Sequence, residues 1–261
     1  MITDRLAFGI ALAIAIALLA RNRKTLTTNG AVAAVIVAAA CIAAGWSWGI
    51  ILVVFFVGGT TLSQIGRQSK LIATGDIVGK GGPRDARQVF ANGGPFAAAA
   101  IASVVWPSHT WEVFGAGAIA ASSADTWATE IGTLSRSAPR SIIQWTLVRP
   151  GTSGGVTWLG MCAALSGAAL ITLVTFLADW PGIAICAALV GGFMGSLVDS
   201  LLGAALQVKR WCPRCEKMTE RVTHVCGTTT DIVGGISWLD NDAVNVLSSI
   251  AGGAIGAVCL L

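Results

Sequence analysis

Long apolar runs separated by short polar segments dominate the chain. A helix needs roughly 17 to 25 residues to cross a hydrocarbon core of about 30 Å. Runs of that kind lie at approximately 5–20, 30–46, 48–65, 91–107, 111–131, 154–179, 182–206 and 242–261. The interval from Gly30 to Leu62 is too long for one crossing, and a tight hairpin near Trp46-Ser47-Trp48 is expected to divide it. The pattern predicts an all-α polytopic membrane bundle of about eight transmembrane helices, a single integral membrane domain over 1–261. A polar Cys/His loop at about 207–240 is the main interruption. Only Arg5 precedes the first apolar run, whereas Arg21, Arg23 and Lys24 follow it, so the first helix is expected to stay as a span and not act as a cleaved leader.

Composition agrees with burial in lipid. Hydrophobic residues make up 54% of the chain and charged ones 11%, and the mean hydropathy of +0.75 excludes an ordinary soluble domain. The few charges are placed with a rule. Sixteen of the seventeen Lys and Arg fall at 21–24, 67–87, 136–149 and 209–221, in loops that alternate onto one face. Short basic loops stay on the cytoplasmic side, which puts both termini on the opposite side of a plasma or thylakoid membrane. The opposite face receives short links such as WPSHTWE (106–112) and ADWPG (178–182), with tryptophans suited to the headgroup boundary.

Polar residues in and beside the helices gather at the cytoplasmic ends. The segment 69–95 brings Lys80, Arg84, Arg87, Asn92, Gly93 and Gly94 to one helix start, and ASSADTWATEIG (120–131) places Asp125 and Glu130 at the end of the next helix. Thr152, Ser153, Gly154 and Gly155 open another helix, Asp199 ends one between Gly195 and Gly203, and Asn241, Asp242 and Asn245 open the last. An acid deep in a membrane costs about 2.5–3.5 kcal/mol on insertion scales, so such acids normally face the bundle interior and serve a function. Gly195, Asp199 and Gly203 share a helical face, which leaves room for a ligand beside Asp199. Helix N-termini carry free N–H groups that attract phosphate. Asn92-Gly93-Gly94 and Thr152 to Gly155 offer a capping side chain and glycines for such a cradle. A weak repeat of TNGA (28–31), ANGGP (91–95) and TSGGV (152–156) suggests three similar hairpins and a last helix.

Plainer readings compete with each feature. The acids can serve as interhelical hydrogen-bonding glue, the basic residues as topology determinants, and the GTSGG segment as a helix cap. Asp76, Asp85 and Asp231 read as solvated loop charges. Cys41, Cys162, Cys186 and Cys259 read as small apolar packing residues. Cys212, Cys215, His224 and Cys226 form C-x2-C-x8-H-x-C, which leaves open a structural Zn2+ or unligated thiols.

Clustered acids able to hold Mg2+, basic residues and phosphate-binding helix ends are the equipment of phosphoryl or nucleotidyl transfer. At the membrane face a lipid phosphate meets both demands, and no nucleic-acid partner is expected. The segments RDARQVFANGG (84–94), ADTWATEIGTLS (124–135), GTSGGVTWLG (151–160), GSLVDSLLGAALQ (195–207) and WLDNDAVN (238–245), with the Cys/His loop, resemble the integral membrane family known as domain of unknown function 92. That family includes phytyl-phosphate kinase of the vitamin E pathway and transmembrane protein 19. The resemblance implies phosphorylation of an isoprenoid monophosphate, phytyl phosphate in phototrophs, to the diphosphate by a nucleoside triphosphate. On chemical grounds Asp125, Glu130, Asp199 and Asp242 are expected to hold Mg2+. Lys80, Arg84 and Arg87 would neutralise phosphates, and Asn92 to Gly94 with Thr152 to Gly155 would bind them through backbone N–H groups. Asn241 and Asn245 complete the expected set. Alternatives are a cytidylyltransferase making a CDP-lipid and a lipid-phosphate transporter.

Overall fold

The computed structural model describes residues 2–258, so Cys259 and the end of the last apolar run lie outside the described residues. In chain order the elements are α1 (Ile2–Asn22), α2 (Thr28–Ala44), α3 (Trp46–Gln64), α4 (Arg67–Thr74), α5 (Ala86–Val105), α6 (His109–Gly132), β1 (Arg140–Ser141), β2 (Gly155–Val156), α7 (Trp158–Leu177), α8 (Gly182–Ala205), β3 (Lys209–Cys212), β4 (Lys217–Thr219), β5 (Asp231–Gly234) and α9 (Asn241–Val258). The residues of α1, α3, α5, α7 and α8 form five helices long and apolar enough to cross a membrane. The protein is a polytopic helical membrane protein. α2 is equally apolar but only 17 residues long, while α6 and α9 carry the Ser, Asp and Asn residues that lower their hydropathy.

Capping chemistry fixes the helix starts and corrects several expected boundaries. α5 begins at Ala86, five residues before the expected apolar run, because Asp85 and Gln88 close a capping box there. Thr27 accepts from the Gly30 N–H and Thr157 from the Gly160 N–H, so α2 and α7 begin with the same Thr-x-x-Gly cap. The expected repeat therefore survives as three helix pairs, α2–α3, α5–α6 and α7–α8. The Gly-rich motifs are not equivalent within it, lying in the first turn of α2, inside α5, and ahead of α7. The break between α2 and α3 is the single residue Gly45, one position before the tryptophans.

α6 is the central helix, with α3, α5, α7, α8 and α9 packed around it. Small residues make this possible: Gly115 to Ala124 is a buried run of Gly, Ala, Ile and Ser. Where α6, α8 and α9 cross, Gly117, Gly191 and Gly252 bring backbones into contact. A Cβ on Gly191 would collide with the Gly252 carbonyl oxygen. Buried hydroxyls tie the same helices: Ser249 donates to the Ala118 carbonyl at 3.0 Å and Ser123 to the Gly167 carbonyl at 2.9 Å. A second cluster around Trp48, Phe96 and Trp180 closes α3, α5 and the α7–α8 link.

The four basic loops meet at one end of the bundle. The Thr25 carbonyl accepts from the Arg84 N–H, and the Thr27 N–H donates back to the Arg84 carbonyl. Arg149 pairs with Asp76 at 2.8 Å, and the Glu220 N–H donates to the Ile77 carbonyl at 2.8 Å. The Cys/His segment is not a loop but a three-stranded antiparallel sheet in the order β4-β3-β5. Its β-rich sequence, KRWC, KMT and DIVG, alternates poorly, which hid it behind the metal-like spacing.

Candidate active site, a polar chamber joined to an apolar cleft

Beneath these loops lies a polar chamber of about 520 Å³. Its walls include Asp125, Thr129 and Glu130 from α6, Asp199, Ser200 and Gly203 from α8, and Asp240, Asn241, Asp242 and Asn245 at the start of α9. Lys80, Arg84, Arg87, Gln88 and Asn92 close one side, Thr152 to Gly155 another, and Gln207, Arg210, Glu220 and Arg221 reach in from the sheet. The expected site residues are thus brought together, save Gly93 and Gly94. A second cavity of about 270 Å³ runs between α1, α2, α3 and α5, lined by Leu12, Ile16, Val37, Ile42, Leu52 and Phe56 among others. Arg84, Gln88 and Asn92 line both spaces. The polar chamber therefore meets the apolar cleft at one wall.

The α6 and α8 acids form a pair, with the carboxyl groups of Asp125 and Asp199 hydrogen-bonded to each other. The Ser248 hydroxyl donates to Asp199 Oδ2 at 2.9 Å. Asp242 is buried, its Oδ2 accepts from Lys80 at 2.6 Å, and its Oδ1 has no partner. Such an oxygen-only donor set with an orphaned acceptor fits Mg2+. Glu130 fits less well, because Lys70 Nζ donates to its Oε2 at 2.6 Å and the two side chains are only 11% and 22% exposed. Asp242 has a lysine equally close, but unlike Glu130 it keeps a buried oxygen without a partner. Glu130 is thus placed at the chamber wall with Lys70 as its ion-pair partner.

The cations are also engaged. Lys80 bridges Asp242 and Asp85, the latter at 2.9 Å. Partial desolvation works against its charge, yet the two carboxylates outweigh this and hold its pKa above the usual lysine value. Arg87 donates to Asp240 at 2.8 Å and reaches Asp242 at 3.7 Å. The Arg84 guanidinium lies against Gly59; desolvation lowers its pKa, with Glu130 opposing. Asp76 and Asp85, read as solvated, are held in place. Arg149 keeps the Asp76 carboxyl low. Desolvation raises that of Asp85, but Lys80 and the Gln88 N–H leave it below its usual value. Asp231 is exposed as expected.

Two of the expected phosphate cradles change character. Asn92, Gly93 and Gly94 sit inside α5, where their N–H groups belong to the helix ladder and are not free for an anion. Asn92 instead offers its side chain, with Nδ2 donating to the Gln88 carbonyl at 3.0 Å. Gly93 packs on Val37, and Gly94 faces open space. Thr152 to Gly155 form a turn ahead of α7, with the Gly155 N–H donating to the Thr152 carbonyl at 3.0 Å. Gly154, at φ +73, lets this turn lie on α8, where a Cβ would meet Ala204 and the Ser200 carbonyl. Gly195 is also structural, facing Ala121 and Gly252 and not a ligand space.

Comparison with known proteins agrees with this architecture. The sequence pattern described as integral membrane protein DUF92 matches residues 11–253. The chain belongs to the DUF92 family. A curated relative, Protein PGR of Arabidopsis thaliana, is 32% identical over 277 residues, covering 94% of this chain and 92% of that protein. Uncharacterized membrane protein MJ0933 of Methanocaldococcus jannaschii is 30% identical over 215 residues, 82% of this chain and 76% of that protein. No solved structure matches. In this DUF92 chain the acids that sequence reasoning missed are Glu220 and Asp240. Asp240 caps α9, its Oδ1 accepting from the Ala243 N–H at 3.1 Å, and an Asp ahead of an apolar run was a readable signal. Glu220 accepts from Ser153, and from Gln207 at 3.0 Å. Nothing local marks it, since it reaches the chamber only through distant partners, the Ile77 carbonyl, Ser153 and Gln207.

Proposed function

We propose that this DUF92 protein is a membrane isoprenoid-monophosphate kinase that makes the diphosphate with a nucleoside triphosphate and Mg2+. The observation that carries the reading is the junction at Arg84, Gln88 and Asn92 between a chamber of acids and cations and a cleft of aliphatic side chains. A lipid phosphate is the substrate class that needs both at once, with the tail in the cleft and the phosphate beside Arg84. Asp125 and Asp199 would hold magnesium, which would supply charge shielding for the phosphates. Arg84, Lys80 and Arg87 bind phosphate oxygens, Asn92 and Asn245 orient them, and the turn at Thr152 to Gly155 closes the chamber. The acceptor phosphate is ionised near pH 7, so no strong base is required.

The reading extends to topology. The eight helices other than α4 span the membrane, the basic loops and chamber face the cytoplasm, and both termini lie opposite. Contact of backbones at Gly117, Gly191 and Gly252, about two turns further into the bundle, argues against a transport path.

Purified protein incubated with phytyl or geranylgeranyl monophosphate, Mg2+ and each nucleoside triphosphate tests the proposal by resolving lipid products. The expected result is a prenyl diphosphate with release of a nucleoside diphosphate. Release of pyrophosphate with a nucleotidyl-lipid would replace the kinase with a cytidylyltransferase. A folded sample inert with every nucleotide would end the enzymatic reading. Filling the cleft by Ala38→Phe should raise KM for the long substrate more than for a short prenyl monophosphate.

A further inference from the structure

The Cys/His cluster carried by the sheet has no part in the roles above, yet its four side chains converge on one point. The ligand atoms of Cys212, Cys215, His224 and Cys226 all lie within 4.8 Å of one another. Cys212 Sγ is 3.6 Å from Cys226 Sγ, and His224 Nδ1 is 3.2 Å from Cys226 Sγ. A tetrahedral ion with Zn–S bonds of about 2.3 Å spaces its sulfurs about 3.8 Å apart. Cys212 and His224 are buried, and His224 Nε2 has no partner. Backbone turns bring the ligands in. The Glu216 N–H donates to the Cys212 carbonyl at 2.9 Å to close the C-x2-C knuckle, and the Gly227 N–H donates to the His224 carbonyl at 2.9 Å.

We infer that Cys212, Cys215, His224 and Cys226 bind one structural Zn2+, and that the ion clamps the β-sheet as a roof over the polar chamber. Four protein ligands leave no open coordination position, so the ion's work is mechanical. Cys212 and Cys226 bracket the segment that carries Glu220 and Arg221 into the chamber. That segment is held to the rest of the protein by polar contacts, those of Glu220 with Ile77, Ser153 and Gln207, the Thr219 hydroxyl donating to the Asp76 carbonyl at 2.8 Å and Arg221 Nε to the Gly75 carbonyl at 3.1 Å. With little apolar burial to hold it, such a segment opens locally unless cross-linked. The clamp does not depend on the kinase reading, since it fixes the roof whatever the chamber binds.

The test is the metal content of full-length protein purified in detergent without chelators, with X-ray absorption at the zinc edge. About one zinc per chain with three sulfur and one nitrogen neighbours is expected. Cys215→Ser and His224→Ala should lose the ion, whereas Cys162→Ser, on the exposed face of α7, should keep it. Cys215→His supplies a second variant able to retain zinc and fold if the serine variant does not. Chelation should speed tryptic cleavage at Arg214, Lys217 and Arg221 by at least about tenfold, and added zinc should reverse it. Zinc-free folded protein that takes up none on addition, a Cys212–Cys226 disulfide found by thiol mapping, or zinc retained equally in every variant would overturn the site. Unchanged cleavage after zinc removal would overturn the clamp.

Discussion

The tightest constraint on the bundle is the crossing of α6, α8 and α9, and Gly252→Ala perturbs it with a single methyl. The new Cβ would lie 2.6 Å from Ala121 Cβ, 2.8 Å from the Gly191 carbonyl oxygen and 2.9 Å from the Gly117 carbonyl oxygen. Ordinary contacts begin near 3.4 Å, so α9 must retreat by roughly 0.5–0.8 Å, against two backbones that cannot rotate away. Overpacking of this kind costs about 1–3 kcal/mol, or roughly a 5- to 150-fold loss in the folding equilibrium. The retreat also pulls Ser248, one turn away, from its 2.9 Å bond to Asp199, so activity should fall beyond the loss of folded protein. Reversible unfolding in mixed micelles, followed by tryptophan fluorescence, reads the first effect, and turnover per folded molecule reads the second. Gly94→Ala is the control, because its Cβ meets nothing within 4 Å; it should be neutral or stabilising by about 0.5–1 kcal/mol. Wild-type unfolding and turnover for Gly252→Ala would refute the packing argument.

Asp125→Asn and Asp199→Asn should each lower turnover by at least about a hundredfold with unfolding unchanged; near-normal rates in either would remove that acid from the metal site. Glu130→Gln should act differently, costing about 1–3 kcal/mol of stability by leaving the Lys70 charge with no counter-ion and only the Leu62 carbonyl to accept from it, with Lys70→Met in the same chain recovering much of it. A stable but inactive Glu130→Gln protein would return Glu130 to the metal. Glu220 is raised above its ordinary 4.5 by desolvation, with donors from Ser153, the Gly79 N–H and Gln207 opposing. The folded state then binds more protons than the unfolded one between the two pKa values, so stability should fall as pH rises through that window. Glu220→Gln should flatten this fall, as seen in unfolding midpoints between about pH 4 and 7, and an unaltered profile would show that Glu220 is solvated.

Much of this was legible, and the parts that were not share a cause. Apolar runs of near-constant length marked the long helices, because a helix in lipid must keep its apolar stretch unbroken. The acids Asp125, Asp199 and Asp242 stood out for the same reason, as the polar exceptions in greasy segments. Helix starts were less legible: the run before Asn92 looks polar and loop-like, yet Asp85 and Gln88 satisfy each other's backbone and let α5 begin at Ala86. That one shift turned a supposed anion cradle into interior helix. Ion-pair partners were not legible at all. Lys70 meets Glu130 and Lys80 meets Asp242 across 60 and 162 residues of chain, and no local pattern encodes a contact between loops that only the assembled bundle brings together.

Those partners bear on how the proposed chamber would work. Lys80 and Arg87 are already held by Asp85, Asp240 and Asp242, so arriving phosphates would find cations positioned but neutralised. Binding then exchanges carboxylate for phosphate around the same ammonium and guanidinium groups, and the cost of desolvating those cations is met in part before substrate arrives. Under the proposed function the exchange would free Asp242, whose second oxygen is already without a partner, to hold a divalent cation brought in with the nucleotide. Asp242 would then be a ligand only when substrate is present. Metal affinity measured without nucleotide should therefore depend on Asp125 and Asp199 but hardly on Asp242, and Asp242→Asn should weaken metal binding only in nucleotide's presence.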